Sequence, residues 1–232
     1  MSLSIAERVA RVEERIQAAC QGAGRSRDEI TLVAVSKRQP LERIRATRKA
    51  GIRIFGESRV QEAEEKLPRL PEELVWHFVG PLQSNKVKRA VELFRTFHAV
   101  DREKIARYLD REAEKRGLHL RGFLEVNVGQ EESKHGFAPD GFVERVAGLV
   151  RRHENLELVG LMAIPPLEED PERTRHWFRK LRELRDELAT HPDWSDFPGL
   201  LSMGMSDDFE IAIEEGATHI RVGTALFGSR ID

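Results

Sequence analysis

The sequence predicts an α/β protein built as a single (β/α)8 TIM barrel, and three observations lead to that fold class. Apolar runs of strand length occur eight times, helical patterns separate every consecutive pair, and a chain of 232 residues suits one barrel. Strict alternation of strand and helix favours parallel strands joined by crossover helices. Eight such units close into a barrel, so we expect one domain over residues 1–232. An open doubly wound sheet is the alternative, but no G-x-G-x-x-G motif follows the first strand.

The predicted strands are short apolar runs. The first, from Leu32 to Val35, is continuous, as is typical of a strand that is covered on both faces. The eight strands centre near residues 32, 53, 77, 98, 124, 160, 201 and 221. In a parallel barrel their carboxyl ends meet at one face of the sheet, so residues just past these ends are the first candidates for function.

The predicted helices fill the intervals between the strands. An opening helix places apolar residues at three- and four-residue spacings from Ile5 to Ile16, which gives it one apolar face. A second helix runs from Leu41 to Ala50 and stops at Gly51, a residue typical of helix ends. The remaining patterns predict helices over 58–70, 84–94, 101–117, 139–153, 170–190 and 206–217.

The composition argues against several classes of protein. A net charge of -2 gives no support for binding to nucleic acid or to an acidic membrane. No apolar run is long enough to span a bilayer. Cys20 is the only cysteine, so no intrachain disulfide can form, and we expect a cytoplasmic protein and a monomer. The eight histidines show no H-E-x-x-H motif or paired spacing, so no metal site is predicted.

Lys37 is the first candidate for chemistry, since it follows the first buried strand after only one intervening serine. An ammonium group near a barrel core is costly to hold without a partner. One interpretation is that Lys37 has left the strand and points into water. The other is that its setting makes Lys37 reactive, because burial beside other cations lowers a lysine pKa toward the neutral amine.

A phosphate site is predicted across the barrel mouth from Lys37, because barrels often bind phosphate after strands seven and eight. Hydroxyl side chains and glycines combine at these strand ends, and glycine lets backbone N–H groups approach an anion closely. The candidate residues are Ser202, Gly223 and Thr224, with Met203 and Gly204 as secondary candidates. Ser206 and the two aspartates that follow it are interpreted as a helix start.

A lysine facing a phosphate site suits an aldehyde phosphate cofactor that is held as a Schiff base. Pyridoxal 5′-phosphate fits, because its aldehyde suits Lys37 and its phosphate suits the opposite wall. Its ring nitrogen needs a partner, and Arg221 on strand eight is the candidate. The alternative for Arg221 is an inward charge paired with an acid inside the barrel.

Five segments of the chain carry a family resemblance: "AVSK", "FGESRVQEAEEK", "WHFVGPLQSNKVK", "GLMAI" and "LSMGMSDDFEIAIEEGATHIRVGTALFG". They closely resemble the YggS/PROSC family of pyridoxal phosphate homeostasis proteins, from about residue 5 to Arg230. The resemblance implies a barrel of the alanine racemase N-terminal-domain type, with the cofactor bound covalently to Lys37. It also implies that Arg221 faces the pyridine nitrogen and that three residues contact the phosphate: Ser202, Gly223 and Thr224.

One position departs from the family pattern. Ser58 stands where the family usually has Asn, and it is a secondary candidate for cofactor contact whose shorter side chain reaches less far.

The sequence favours a carrier over a catalyst. A racemase needs a base on each face of the ring, and the only tyrosine, Tyr108, lies inside a predicted helix. An arginine opposite the ring nitrogen also weakens the electron sink. The leading hypothesis is therefore a protein that carries and buffers pyridoxal phosphate. A slow amino-acid racemase is the alternative, and delivery of cofactor to apo-enzymes is a third hypothesis.

Three further groups of residues are secondary candidates. His77 on strand three lines the barrel or serves as a hydrogen-bonded core histidine. Lys134 and His135 lie in the loop after strand five, at the mouth, and are interpreted as substrate-side or gating residues. The basic residues of the fourth helix segment either attract a phosphate or form a solvated face: Lys86, Lys88 and Arg89.

Overall fold

The computed structural model describes residues 3–149 and 152–228, and its eight parallel strands form a closed barrel in sequence order. The predicted (β/α)8 class is confirmed. The strands are β1 (Thr31–Val35), β2 (Ile54–Glu57), β3 (Val75–Phe78), β4 (Thr96–Val100), β5 (Leu120–Glu125), β6 (Leu156–Met162), β7 (Leu200–Ser202) and β8 (His219–Val222). The ring closes where β1 pairs with β8, with Leu32 opposite Ile220.

Helices follow the strands around the outside of the barrel. They are α1 (Ile5–Gly22), α2 (Leu41–Lys49), α3 (Val60–Lys66), α4 (Val87–Leu93), α5 (Glu103–Glu114), α6 (Phe142–Val146), α7 (Arg175–Ala189), α8 (Phe209–Glu214) and α9 (Thr224–Phe227). At the start of α1, Ser4 and Glu7 form a capping box, so the sequence specifies where this helix begins. None of the helices within the described ranges is long and apolar enough to cross a membrane.

The helix predicted over 139–153 is much shorter in the structure. It covers only Phe142–Val146, after Gly141, whose positive φ of 62° sets the chain direction into the helix. The carbonyl oxygen of Ala147 accepts the indole N–H of Trp194 at 3.2 Å, so a long-range contact engages the backbone at this end. Residues 150 and 151 of the predicted helix lie outside the described residues.

Apolar side chains fill the layer between strands and helices, while the inside of the barrel is partly polar. Phe97 faces the outer layer, and the next residue, His98, points inward, as expected from the alternation along a strand. Inside the barrel a small apolar cluster of Ala99, Phe123, Val159 and Met162 adjoins three buried histidines. These histidines, His77, His98 and His219, bring polar groups into the buried interior of the barrel.

Candidate functional site

A cavity of about 200 Å³ lies at the carboxyl ends of β1, β7 and β8. It brings together four residues that the sequence predicted for one site: Lys37, Arg221, Gly223 and Thr224. Its other lining residues are Val35, Gln39, Val79, Ile164, Met205, Ser206, Asp207 and Gly228. The geometry therefore places a primary amine, a guanidinium group and the start of α9 around one enclosed space.

The backbone that carries Lys37 is anchored by a buried ion pair. The hydroxyl of Ser36 donates to the Glu57 carboxylate at 2.8 Å, and Lys66 Nζ lies 3.1 Å from the same oxygen. Lys66 Nζ also donates to the carbonyl oxygen of Ser36 at 2.9 Å. Burial raises the pKa of Glu57, while the nearby Lys66 opposes that rise. The residue before Lys37 is thus held by both its side chain and its backbone.

The residue after Lys37 is held as well. Arg38 has a positive φ of 58°, which is uncommon for a residue with a side chain. Its backbone N–H donates to the Glu62 carboxylate, and Glu62 pairs with Lys66. Lys37 therefore sits in a turn that is fixed on both sides, and its half-buried side chain lines the cavity.

The opposite wall of the cavity is a cluster of backbone donors at the start of α9. The N–H groups of Gly223 and Ala225 both donate to the hydroxyl oxygen of Ser206, at 3.3 and 3.2 Å. The Ser206 oxygen thus accepts twice, which leaves its own hydrogen to donate to an anion such as a phosphate. A Cβ added at Gly223 would lie 3.4 Å from the carbonyl oxygen of Val35, an ordinary contact, so this backbone packs closely against the end of β1.

Ser206 differs from its interpretation as part of a helix start. Its hydroxyl accepts from the α9 backbone, and the residue that caps α8 is Asp208. The sequence carries a signal for this role, because Ser206 lies in the loop that follows β7, as Thr224 lies just past β8. We therefore add Ser206 to the candidate phosphate residues.

Ser202 lies in a different place from the one that we expected. Its side chain is fully buried beneath the cavity, and Arg221 Nη1 donates to its hydroxyl oxygen at 2.6 Å. The Nδ1 atom of His98 lies 2.7 Å from the same oxygen. Ser202 is thus not among the residues that line the cavity, and its role as a phosphate ligand stays a prediction.

Arg221 is held rigidly between β7 and the end of β6. It is 5% exposed, and its Nη2 donates to the carbonyl oxygen of Ala163 at 3.0 Å. Burial lowers the pKa of Arg221 to about 10, and the negative charges of Glu125 and Asp208 oppose that shift. The guanidinium group remains protonated at neutral pH, and the arginine lines the cavity between Lys37 and Gly223.

A chain of hydrogen-bonding groups continues from Arg221 into the barrel. The guanidinium group only donates, so the Ser202 hydroxyl oxygen accepts from Arg221, and the same oxygen lies 2.7 Å from His98 Nδ1. His98 Nε2 in turn lies 2.9 Å from His77 Nδ1. Burial lowers the pKa of His77 to about 4 and that of His98 well below 6.5, so both rings are neutral.

The secondary candidates Met203, His77 and Gly204 do not line the cavity themselves. Met203 is fully buried, and His77 lies within the hydrogen-bond chain rather than in the lining of the cavity. Gly204 has a φ of 91°, and a Cβ there would lie 2.6 Å from that of Ala212. Its carbonyl oxygen accepts the Arg221 N–H at 3.0 Å, so Gly204 supports the site through the backbone.

A second, larger cavity of about 850 Å³ adjoins the first one at Lys37. It runs along the ends of β2, β3 and β4, and Ser58 lines it. The carbonyl oxygen of Ser58 would lie only 2.5 Å from a Cβ added at Gly80, so these two loop backbones are closely packed. Ser58 thus lies beside Lys37, on the side away from the α9 donors.

Two acidic side chains that the sequence did not single out lie at the mouth near β4 and β5. Burial and the neighbouring Asp101 raise the pKa of Glu125 to about 7, although the charge of Arg221 opposes the rise. Glu125 Oε2 and Asp101 Oδ1 are buried and accept no hydrogen bond from the described residues. His135 Nδ1 lies 3.6 Å from Asp101, while Lys134 donates to the carbonyl oxygen of Pro165 at 3.3 Å.

Comparison with known proteins assigns the family. Residues 9–231 match the alanine racemase N-terminal domain. The pyridoxal phosphate homeostasis protein of Aquifex aeolicus is 44% identical over 229 residues, 98% of this chain and 99% of that protein. The chain belongs to the pyridoxal phosphate homeostasis protein family. A member from Pseudomonas aeruginosa is 45% identical over 98% of this chain and 96% of its own length.

Solved structures agree with this family assignment. PipY of Synechococcus elongatus, solved with PLP bound, is 37% identical, with a TM-score of 0.82 over 97% of this chain and all of that chain. The same protein without PLP gives a TM-score of 0.85 at 38% identity. The alanine racemase of Clostridium difficile shares the fold, with a TM-score of 0.71 at 15% identity. This chain spans 58% of that longer protein.

Proposed function

We propose that this family member binds pyridoxal 5′-phosphate and carries and buffers it, with the cofactor held as a Schiff base on Lys37. The observation that carries the proposal is the cavity that Lys37 lines together with Arg221, Ser206, Gly223 and Thr224. The names of its relatives and the PLP-bound PipY structure support the same cofactor. When bound, the cofactor supplies an aldehyde that condenses with a primary amine.

The residues around the cavity take distinct roles in this proposal. The hydroxyls of Ser206 and Thr224, beside the backbone of Gly223, hold the phosphate, and the N–H groups of Gly223 and Ala225 orient the Ser206 hydroxyl. Arg221 faces the ring nitrogen, and its bonds to Ser202 and Ala163 fix its orientation. Because a guanidinium group keeps its proton, Arg221 does not protonate that nitrogen.

Carriage is favoured over catalysis because the only tyrosine is remote from the cavity. Tyr108 packs on α5, where Lys104 Nζ lies 5.7 Å from its ring centre, and it does not line either cavity. The relatives are named as homeostasis proteins rather than enzymes. Delivery of the cofactor to apo-enzymes would extend the same function and stays a prediction.

A slow amino-acid racemase is the second candidate, and the acids at the mouth are the observation that favours it. Asp101 and Glu125 lie at the barrel mouth, and a carboxyl group whose pKa lies near 7 suits proton transfer at neutral pH. Chiral analysis of alanine incubated with the loaded protein separates the two candidates. Carriage predicts negligible racemisation together with recovery of activity by an added apo-transaminase.

The proposal is tested by locating the covalent linkage. Purified protein loaded with pyridoxal phosphate should show imine absorbance that borohydride removes, and peptide mass analysis should find the reduced adduct on Lys37. Lys37→Ala should lose the band, whereas Lys88→Ala, an exposed lysine of α4, should keep it. A reducible adduct on another lysine in the wild-type protein would show that the assignment of Lys37 is wrong.

A further inference from the structure

The groove beside Lys37 concentrates positive charge in a protein whose net charge is -2. Its ionisable lining comprises Lys37, Arg59, Lys86, Arg102, Asp101 and His135. Four basic residues thus face a single acid. A cleft that is lined by one sign of charge focuses the field and attracts a ligand of the opposite sign.

The one acid in the groove is already engaged. Arg102 forms an ion pair with Asp101, and His135 lies 3.6 Å from it on the other side. Arg59 and Lys86, in contrast, have no acidic partner within ion-pair distance among the described residues. Lys86 is half-buried, so its charge has lost part of its hydration without gaining a counter-ion.

The position of the groove limits what it can bind. It shares Lys37, Val79 and Ile164 with the smaller cavity, so it opens onto the side of Lys37 away from the α9 donors. Its volume of about 850 Å³ is in the range of small-molecule sites. A molecule in the groove would therefore have its anionic end near Arg59 and Lys86 and its other end beside Lys37.

We propose that this groove is an anion site that takes the carboxylate or phosphate group of a small primary amine, whose amino group reaches the position of Lys37. The inference rests on the proposed function and names the class of molecule that removes the cofactor from Lys37. The exchange is balanced in atoms and electrons. The incoming nitrogen forms the C=N bond that Lys37 Nζ gives up, its two protons pass to Nζ, and no oxidant or reductant is needed.

The test compares amines that differ in anionic charge. Loaded protein is titrated with phosphoserine, serine and serinamide while the Lys37-linked absorbance is followed, and each amine is also titrated against free pyridoxal phosphate to correct for intrinsic reactivity. After this correction, phosphoserine should displace Lys37 at a concentration about tenfold lower than serinamide. Serine, whose only anionic group is its carboxylate, should displace Lys37 at an intermediate concentration. If the site is specific for phosphate, serine and serinamide should displace Lys37 at the same concentration. High salt should reduce the difference, because these charges are partly exposed.

Variants assign the effect to the groove. Arg59→Gln/Lys86→Gln should reduce the preference for phosphoserine to less than about threefold and leave affinity for pyridoxal phosphate unchanged. The matched control, Lys88→Gln/Arg89→Gln, removes two charges from exposed positions of α4 that do not line the groove and should keep the full preference. An undiminished preference in Arg59→Gln/Lys86→Gln would overturn the proposal.

Failure of the proposed function can be distinguished from failure of the anion-site proposal. If the wild-type protein forms no adduct on Lys37, the carrier proposal fails, and the groove is then judged on the cofactor-free protein by titrating phosphoserine and following backbone amide NMR signals. Shifts at Arg59 and Lys86 that are absent with serinamide support the anion site. Their absence overturns it.

Discussion

Ser202 and Ser206 are two serines four positions apart that the barrel places in different surroundings. Ser206 lies in the cavity wall and accepts from two backbone N–H groups. Ser202 is fully buried and bridges Arg221 to His98. The first is positioned to bind, whereas the second is positioned to hold Arg221.

Replacing each serine by alanine should therefore affect different properties. Ser206→Ala removes one charge-assisted hydrogen bond to a phosphate, worth about 1.5–3 kcal/mol, so affinity for pyridoxal phosphate should fall by tenfold or more. Ser202→Ala leaves buried groups of Arg221 and His98 without partners and should lower the free energy of unfolding by about 1–3 kcal/mol. Absorbance titration, competition with inorganic phosphate, and urea unfolding measure these effects. If inorganic phosphate competes more weakly with pyridoxal phosphate in Ser202→Ala but not in Ser206→Ala, the roles assigned to both serines are contradicted.

At the scale of elements, the turn after β1 depends on α3. Lys66 at the end of α3 reaches back to Glu57 on β2 and to the backbone of Ser36, the first residue after β1. The Glu57 side chain is fully buried and that of Lys66 is 12% exposed, so water screens this pair only weakly. Three elements are thereby locked together immediately before Lys37.

Lys66→Met should strongly destabilise the protein, because it leaves the Glu57 carboxylate buried without its cation. Loss of one partner of a buried pair costs about 3–5 kcal/mol, although proton uptake by Glu57 would relieve part of this cost. The double variant Glu57→Gln/Lys66→Met removes both charges of the Glu57–Lys66 pair and should recover much of the loss, less what Glu62 loses when its partner Lys66 is gone. Unfolding in urea for the two single variants and the double variant measures the coupling. Additive effects would show that the pair does not act as a unit.

The strands were predictable because local pattern determines them, whereas parts of the site were not. Lys37, Gly223 and Thr224 follow strand ends directly, so the rule for barrel mouths predicted that they share a cavity. The partners of Ser202 depend on His98, 104 positions away, and on the depth at which its strand ends. Lys66 and Glu125 matter only through contacts between elements, which no local spacing reveals.

At the scale of the whole molecule, the barrel closes around neutral histidines. Burial is the main cause that lowers the pKa of His77 to about 4, of His219 to about 3 and of His98 well below 6.5. Their rings pack together, and His98 stacks on Phe123 with ring centres 4.5 Å apart. The Ser202 hydroxyl therefore accepts a hydrogen bond from Arg221, and the neutral histidines beyond it add no second positive charge.

This arrangement predicts a loss of stability in mild acid. In the unfolded chain these histidines take up protons near pH 6.5, whereas in the folded barrel they stay neutral until about pH 4 or below. The histidines therefore contribute fully to the free energy of unfolding above pH 6.5. This contribution falls as the pH falls, by about 1.4 kcal/mol per pH unit for each proton that the unfolded chain takes up. Glu125 acts in the opposite direction, because its folded pKa of about 7 favours the protonated, folded form between pH 7 and 4.5. Burial also raises the pKa of Glu57 and Asp208, but Glu125 alone among these carboxyl groups reaches about 7, whereas the pKa of His153 is lowered like those of the other three histidines. The net effect in mild acid should therefore be destabilising.

His77→Gln isolates the histidine contribution, because the glutamine oxygen can still accept from His98 Nε2 while the side chain no longer titrates. Urea unfolding of the cofactor-free protein between pH 6 and 5 should show a shallower fall in the free energy of unfolding for the variant. The expected difference from wild type is about 1.4 kcal/mol per pH unit, equal to one proton. Phe123→Leu is the control, since it alters packing against the same rings but removes no titrating group, and its slope should match wild type. Equal slopes for His77→Gln and wild type would show that His77 is already protonated in the folded barrel, contrary to the lowering of its pKa by burial.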